Sequence, residues 1–373
     1  MDEIAEPSGD PDATPGRDVA ALTSLLPDDL GLTWRPLTVE DSSALFRLIA
    51  AIEAADRPSY RTSAVEVDEI VEGDWKDLAA DTIVGIDATG ELRAYAAVEI
   101  RPGDESTVRA VVVGGVHPEA RGVGLGAALV AWMTARARAK LEARTDRGPG
   151  RIAAYLDDSA PEHWHYLEDA GYTAQRYYAT LRRDLTSAIH TESLDPELRI
   201  QGWSADVDDA TRLAHNDAFQ DHWGSEPATV QSWVQGRATF APAWSFVVLD
   251  EERRSATGEP YVAGYLLSGR YEKDWPIAGY TSGYIETLGV RRAYRGRKIA
   301  LALLSAAMTA YRDDGMEFAE LDVDTDNPSG SFGLYSTLGF TKVQGSRMYS
   351  IDVPHVGPPE LETDAYWTRF RPA

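Results

Sequence analysis

Two kinds of hydrophobic pattern follow one another along the chain, and their succession occurs twice. Short runs of apolar and β-branched residues bounded by turn residues, such as Thr82–Asp87 and Leu92–Glu99, predict β-strands. Apolar residues at helical spacing, as in Leu125–Leu141, predict helices packed on one face. The succession that begins at Leu32 begins again at Leu198. Equivalent points lie roughly 165–175 residues apart, which predicts a duplicated domain rather than a short structural repeat.

This repetition predicts an α/β fold of the mixed α+β kind, with two tandem domains, each a mostly antiparallel mixed sheet flanked by helices. We place the N-terminal domain at residues 31–186 and the C-terminal domain at residues 197–353. Residues 1–30 are rich in Pro, Asp, Gly and Ala, and we predict a disordered acidic tail. Residues 354–373 are predicted to be a second tail, whose aromatic residues dock on a domain surface.

The composition narrows the classes of function. The chain has 373 residues, of which 43% are hydrophobic, as in an ordinary soluble globular protein. No apolar run approaches the roughly 20 residues that a membrane-spanning helix needs, and the N-terminus does not resemble a secretory signal. We therefore expect a cytoplasmic protein without membrane contact, either a monomer or a homodimer.

The net charge and the absence of cysteine argue against further classes of partner and site. The formal net charge of −24 argues against nucleic acid as a partner and mildly favours a cationic or amine substrate, although a charge kept for solubility explains it equally well. With no cysteine, the chain has no disulfide, thiolate metal site or cysteine nucleophile. His163 and His165 have no obvious third ligand, so we predict no metal.

One strand–loop–helix motif occurs in both halves. Arg121-x-x-Gly124-x-Gly126 and Arg295-x-x-Lys298-x-Ala300 each follow a β-branched stretch and precede an alanine-rich apolar helix. Main-chain N–H groups at a helix start are unpaired, and the helix dipole leaves them positive, so they suit a pyrophosphate. Glycine lets such a ligand approach the main chain. The sequence therefore predicts two phosphate cradles.

With these two motifs, the order of elements over residues 32–352 resembles the GNAT superfamily of acetyl-CoA-dependent N-acyltransferases. A second block, Asp326-Asn327, Tyr335 and Leu338-Gly339-Phe340, is similar to that family's as well. The two halves resemble the tandem architecture of the mycothiol synthases. The resemblance implies that acetyl-CoA is the co-substrate and that the following residues bind it: Leu288, Gly289, Val290, Arg295, Gly296, Arg297, Lys298, Ile299, Ala300 and Asn327 in the second half, and Gly115, Val116, Arg121, Gly122, Val123, Gly124, Leu125 and Gly126 in the first. Lys298 stands where the family has glycine, and we expect it to be tolerated if its backbone is helical.

The resemblance also implies the catalytic groups. Glu286, on the strand before the second cradle, would be the base, and Tyr335 would be the acid that protonates the departing thiolate. The alternatives are a carboxylate paired with an arginine and a packed aromatic. Matching the first half to the second puts Val112, Leu167 and Ser159 at the positions of Glu286, Tyr335 and Asn327. We therefore expect the C-terminal domain to catalyse and the N-terminal domain to be catalytically degenerate.

The acceptor is the least determined part of the hypothesis. In the family the loop between the first two helices lines the acceptor pocket, which implies a role for Asp221, His222 and Trp223; an ordinary loop with a buried tryptophan is an equal alternative. We predict an N-acetyltransferase that acts on a primary amine of a small molecule by direct attack in a ternary complex. Mycothiol synthase proper, a non-catalytic acyl-CoA sensor or scaffold, and a protein N-acetyltransferase stay open.

Overall fold

The strands of the described chain form one continuous sheet. The structure is a computed structural model and describes residues 22–356, except residues 59, 74, 101, 105, 145–147, 160–162, 221–224, 226, 235–236, 255–257, 259 and 326–330. The strands are β1 (Thr33–Arg35), β2 (Thr82–Ile86), β3 (Leu92–Ile100), β4 (Val108–Val116), β5 (Gly148–Asp157), β6 (Thr173–Asp184), β7 (Leu198–Gly202), β8 (Phe246–Arg254), β9 (Pro260–Gly269), β10 (Ser282–Val290), β11 (Phe318–Asp324) and β12 (Thr341–Val356).

Helices connect these strands, and all except α3 and α8 have a counterpart at the same place in the other half. They are α1 (Ser42–Asp56), α2 (Ala64–Val71), α3 (Leu78–Asp81), α4 (Leu125–Glu142), α5 (Trp164–Asp169), α6 (Asp208–Ala218), α7 (Val230–Trp233), α8 (Trp275–Ala278), α9 (Ile299–Asp313) and α10 (Ser331–Thr337). The predicted helix after each cradle motif is confirmed by α4 and α9. None of the helices in the part of the chain that the structure describes is long and apolar enough to cross a membrane.

The sheet is mixed, and the two halves exchange their last strands. Its order is β1-β2-β3-β4-β5-β12-β6-β11-β10-β9-β8-β7. The pairs β4–β5 and β10–β11 are parallel, and the other pairs are antiparallel. β12, the last strand of the second half, pairs with β5 of the first half, while β6 pairs with β11. The mixed, mostly antiparallel class is confirmed; the exchange was not predicted, and the division of the chain into 31–186 and 197–353 stays a prediction.

The exchanged strands also contribute side chains to the hydrophobic core of the other half. The core of the first half, built on Trp132 of α4, includes Tyr349 and Val353 of β12. The core of the second half, built on α9, includes Ala179 and Leu181 of β6. A fully buried side chain of the size of Leu181 or Val353 contributes about 1.5–3 kcal/mol to folding. The halves therefore stabilise each other, because each completes the other's core.

Gly264 on β9 allows Ile299, the first residue of α9, to pack closely against the sheet. A Cβ at position 264 would lie 2.6 Å from Cγ2 of Ile299 and 3.2 Å from the carbonyl oxygen of Gly289. Ile299 is buried, so it cannot move into solvent. We expect Gly264→Ala to lower the free energy of unfolding by about 1–3 kcal/mol, as overpacking does. Urea denaturation measures the change. Gly202→Ala is the matched control, because a Cβ there would meet no atom of the described chain within 4 Å; equal stability of the two variants would contradict this packing.

Candidate active site

The loop between β10 and α9 has the backbone conformation of an anion-binding nest. Gly296 and Lys298 are left-handed, with φ of 79° and 60°, and Arg297 between them has negative φ. Main-chain N–H groups in such an alternation form a concavity that suits an anion. The N-cap residue of α9, Lys298, makes no capping hydrogen bond with its side chain. The N–H groups of the first turn of α9 therefore add to the same site.

The loop before α4 repeats this conformation in the first half. Gly122 and Gly124 are left-handed, with φ of 81° and 90°, and Gly124, the N-cap residue of α4, has no side chain that could cap the helix. The guanidinium of Arg121 donates to both carboxylate oxygens of Asp56 at the end of α1, at 2.5 and 3.0 Å. Arg121 thus braces the loop on a helix. Its main-chain N–H also donates within the protein, to the carbonyl oxygen of Pro118 at 3.4 Å.

Lys298 departs from the expectation made for it. It is not helical: α9 begins one residue later, and the φ of 60° is a conformation that costs an L-residue about 1–2 kcal/mol. Its ammonium pairs with Glu192 at 2.9 Å, and its side chain is 61% exposed. An exposed pair of this kind stabilises little. The lysine is accommodated in the glycine conformation at an energetic cost, rather than by a helical backbone.

Acidic residues of the connection between the halves cover the basic side chains of this nest. Arg297 pairs with Asp195 at 2.6 Å and with Glu197, and Lys298 pairs with Glu192. These carboxylates raise the pKa of both basic groups, which therefore stay protonated. Their negative charges offset the two positive charges. A bound diphosphate would meet the main-chain N–H groups together with three nearby carboxylates.

We expect the combined substitution Glu192→Gln, Asp195→Asn and Glu197→Gln to tighten the binding of coenzyme A by about two- to tenfold. The reason is that the two cations then face the phosphates without competing anions, and the gain should shrink as salt is added. Titration calorimetry at two salt concentrations measures it, with Asp313→Asn, an exposed carboxylate on α9, as the control. Unchanged or weaker binding would mean that the carboxylates hold the cations in place instead.

The sheet opens beside this loop. Parallel pairing of β10 with β11 ends at Ile285 and Leu321. Among the described residues no strand pairs with that edge of β10 beyond Ile285, so the main chain of residues 286–290 is available to an extended ligand. The register of β10 against β9 also shifts between Ile285 and Thr287, which makes Glu286 the extra residue of a β-bulge. Bulges of this kind re-aim a side chain.

Glu286 directly follows the last residue of β10 that pairs with β11. Its side chain reaches solvent, while the protein packed around its carboxylate raises the pKa of that group. Glu66 and Asp322 raise this pKa further by repulsion, and the hydrogen bond from Tyr271 opposes them. The Tyr271 hydroxyl donates to Oε1 of Glu286 at 2.5 Å. Gly269 on β9 leaves the space for this carboxylate, since a Cβ at position 269 would collide with Oε1. No arginine pairs with Glu286 among the described residues, so its surroundings are those of a base with raised proton affinity.

Tyr335 on α10 lies in the hydrophobic core that also contains Ile285 and Ile299. Its ring packs edge-on against Phe340, with the centroids 5.8 Å apart. Its side chain is 8% exposed, and within the described residues its hydroxyl has no hydrogen-bond partner. Burial raises the pKa of Tyr335 to about 12, so the phenol keeps its proton at neutral pH.

The first half has apolar residues at the corresponding positions. Val112 and Leu167 are buried in its core, and β4 pairs with β3 without a bulge. Tyr166, one position away from Leu167, covers the start of α4: a Cβ on Gly126 would lie 3.5 Å from its Cζ. The first half therefore has the nest conformation but presents no carboxylate and no tyrosine where Glu286 and Tyr335 stand in the second.

Several predicted residues fall outside the described part of the chain. They are Asn327, Asp221, His222 and Trp223. Tyr271 and Gly269, by contrast, were missed by the sequence analysis. The loop that joins β9 to β10 is long, and a bulge shifts their register, so no local signal places either residue opposite Glu286.

Comparison with known proteins matches both halves of the chain to one family. The model of the Acetyltransferase (GNAT) family matches residues 48–156 and 209–340. Mycothiol acetyltransferase of Streptomyces griseus subsp. griseus is 25% identical over 346 residues, which cover 90% of this chain and 96% of that protein.

Two solved structures have the same fold. The crystal structure of a GCN5-related N-acetyltransferase from Sphaerobacter thermophilus superposes with a TM-score of 0.63 at 25% identity and covers 88% of this chain and 97% of its own. A tandem GNAT protein from the clavulanic acid biosynthesis pathway gives 0.60 at 16% identity, with 88% and 100% covered, and this likeness is one of fold alone. The predicted resemblance is confirmed in both halves: the chain belongs to the GNAT family of acetyltransferases.

Proposed function

We propose that this chain transfers the acetyl group of acetyl-CoA to a primary amine of a small molecule, in a ternary complex at the C-terminal half. The observation that carries the proposal is the position of Glu286. Its carboxylate, with raised pKa and no cationic partner among the described residues, stands where β10 and β11 separate. The anion-binding nest at residues 296–298 follows on the same strand–loop–helix unit.

The residues present fit coenzyme A. A Cβ at Gly296 would meet no atom of the described residues within 4 Å, so these residues leave space for a ligand at the nest. The main chain of residues 286–290 is free of β11, so it can bond a pantetheine arm as an added strand would. Acetyl-CoA would supply the thioester carbonyl that the amine attacks.

Glu286 would take the proton from the acceptor's ammonium, directly or through water. Its raised pKa makes it a stronger base than an ordinary carboxylate. Glu66 and Asp322 add negative charge near it, which favours an acceptor that arrives as a cation.

Tyr335 would donate a hydrogen bond to the departing sulfur. Complete transfer of its proton to a thiolate is uphill, because a thiol titrates at about 8.5 and Tyr335 at about 12. Its contribution is therefore stabilisation of the developing charge rather than full protonation.

Thiol release from acetyl-CoA in the presence of a panel of small amines tests the proposal. We expect release that depends on the amine. Binding of acetyl-CoA without release for any amine would favour the sensor or scaffold, and release only with peptides would favour a protein acetyltransferase.

A second candidate is mycothiol synthesis, because a mycothiol acetyltransferase is 25% identical over nearly its whole length. The amine precursor of mycothiol belongs in the panel, and a kcat/KM for it far above that for other amines would identify this function. A cytoplasmic location and a monomeric or homodimeric state stay predictions.

A further inference from the structure

The N-terminal half reaches the catalytic carboxylate of the C-terminal half through a short chain of hydrogen bonds. The Tyr271 hydroxyl donates to Glu286. Tyr271 belongs to a turn in which the amide of Asp274 donates to the Tyr271 carbonyl oxygen at 3.0 Å. The Asp274 carboxylate accepts from the main-chain amide of Arg61, which lies in the first half, at 2.5 Å. Two residues thus link Glu286 to the other half.

The segment that supplies this amide is held firmly in the first half. Next to Arg61, the amide and hydroxyl of Thr62 donate to Oε1 of Glu53 at 3.0 and 2.6 Å, and Glu53 is buried in α1. Ser63 then caps α2 in a reciprocal capping box with Glu66. The Arg61 amide is therefore a fixed point to which the turn of the second half is attached.

The turn that contains Asp274 holds Tyr271 where its hydroxyl can donate to Glu286. The Tyr271 ring packs edge-on against Tyr284 of β10 at 5.4 Å. Gly269 leaves room for ring and carboxylate together, since a Cβ there would lie 2.8 Å from Cε2 of Tyr271. A donor fixed against the oxygen of a carboxylate orients it and stabilises its charged form.

We propose that Asp274 and Tyr271 are positioning residues for the base, and that the first half, although it has apolar residues at the positions of Glu286 and Tyr335, sets the geometry of Glu286 by anchoring Asp274. This inference rests on the proposed function. It gives the catalytically degenerate half a role in the reaction that is independent of any ligand in its own nest.

The pH dependence of turnover gives a readout that a purely structural role would not move. The hydrogen bond from Tyr271 lowers the pKa of Glu286, so its loss shifts the acidic limb of kcat/KM to higher pH. The other ionisable groups whose charges act on Glu286 are unchanged in the variants below: Glu66 of α2, Asp322 of β11, Tyr284 of β10 and Tyr311 of α9.

We expect Tyr271→Phe and Asp274→Ala each to move the acidic limb upward and to lower kcat at pH 7 on the order of tenfold. The double variant should lose little more than either single one, because both changes break the same chain of contacts. Asp274→Asn should restore the wild-type profile, since its Oδ1 still accepts from Arg61. Burial raises the pKa of Asp274 to about 7, so the uncharged amide is a close substitute.

Glu272→Ala is the control, because Glu272 lies in the same turn, is exposed and, within the described part of the chain, pairs with Arg270 alone. An Asp274→Ala profile that coincides with that of Glu272→Ala would overturn the inference, as would additive losses in the double variant. Calorimetry should give equal affinity of all these variants for coenzyme A. The failure of the proposed function is separate: in that case the wild type releases no thiol with any amine, whatever the state of Asp274.

Discussion

Glu286→Gln is expected to lower kcat by about 10²–10⁴-fold while leaving the affinity for acetyl-CoA unchanged. The amide has nearly the shape of the carboxylate and can still accept a hydrogen bond from Tyr271, but it cannot take a proton. Because the base acts only when deprotonated, the wild-type rate should rise with pH through the raised pKa of Glu286. The variant should lose this dependence. Steady-state thiol release from pH 5 to 9 measures both effects.

The matched control is Glu251→Gln, an exposed glutamate on β8 that pairs with Arg199. It should behave as the wild type does. A Glu286→Gln enzyme that retains more than about a tenth of the wild-type kcat would remove this residue from the reaction. It would also remove the basis for the positioning role of Tyr271.

Tyr335→Phe should lower kcat by roughly 10–100-fold, with the stability and the acetyl-CoA affinity preserved. The phenylalanine keeps the packing against Phe340 and loses the hydroxyl, whose hydrogen bond to a charged sulfur is worth about 1.5–3 kcal/mol. The effect is smaller than that of Glu286→Gln because the phenol, with a pKa of about 12, does not complete the proton transfer. Stopped-flow or steady-state thiol release measures it.

Tyr166→Phe in the first half is the control for this substitution. Tyr166 lies on α5, one position away from Leu167, which corresponds to Tyr335, and its hydroxyl should be irrelevant to turnover. If Tyr335→Phe turns over as fast as Tyr166→Phe, then Tyr335 is a packed aromatic and nothing more.

The local features of the fold could be predicted from the sequence. The β-branched stretch before Arg295 and the alanine-rich stretch after it correctly predicted β10 and α9. The exchange of β6 and β12 could not be predicted from the sequence, because the alternating pattern of Lys342–Ile351 fits equally well beside a strand of either half. Which neighbour a strand takes is decided by packing between residues far apart in sequence, and no short window records it.

The residues of the candidate site likewise divide into one that the sequence could predict and others that it could not. Glu286 could be placed by its distance from the cradle on a single strand. Tyr271, Gly269 and Asp274 depend on the β9–β10 register and on a contact with Arg61, which is more than two hundred residues earlier in the chain. The conformation of Lys298 could not be predicted from the sequence, because its left-handed backbone contradicts what its residue type prefers.

The most direct test of the central claim is a crystal structure of the protein soaked with acetyl-CoA. The account predicts the diphosphate against the main-chain N–H groups of residues 296–300 and the pantetheine arm along residues 286–290, with the thioester beside Glu286. Density for the diphosphate only at Gly122–Gly126, or at neither nest under saturating ligand, would contradict it.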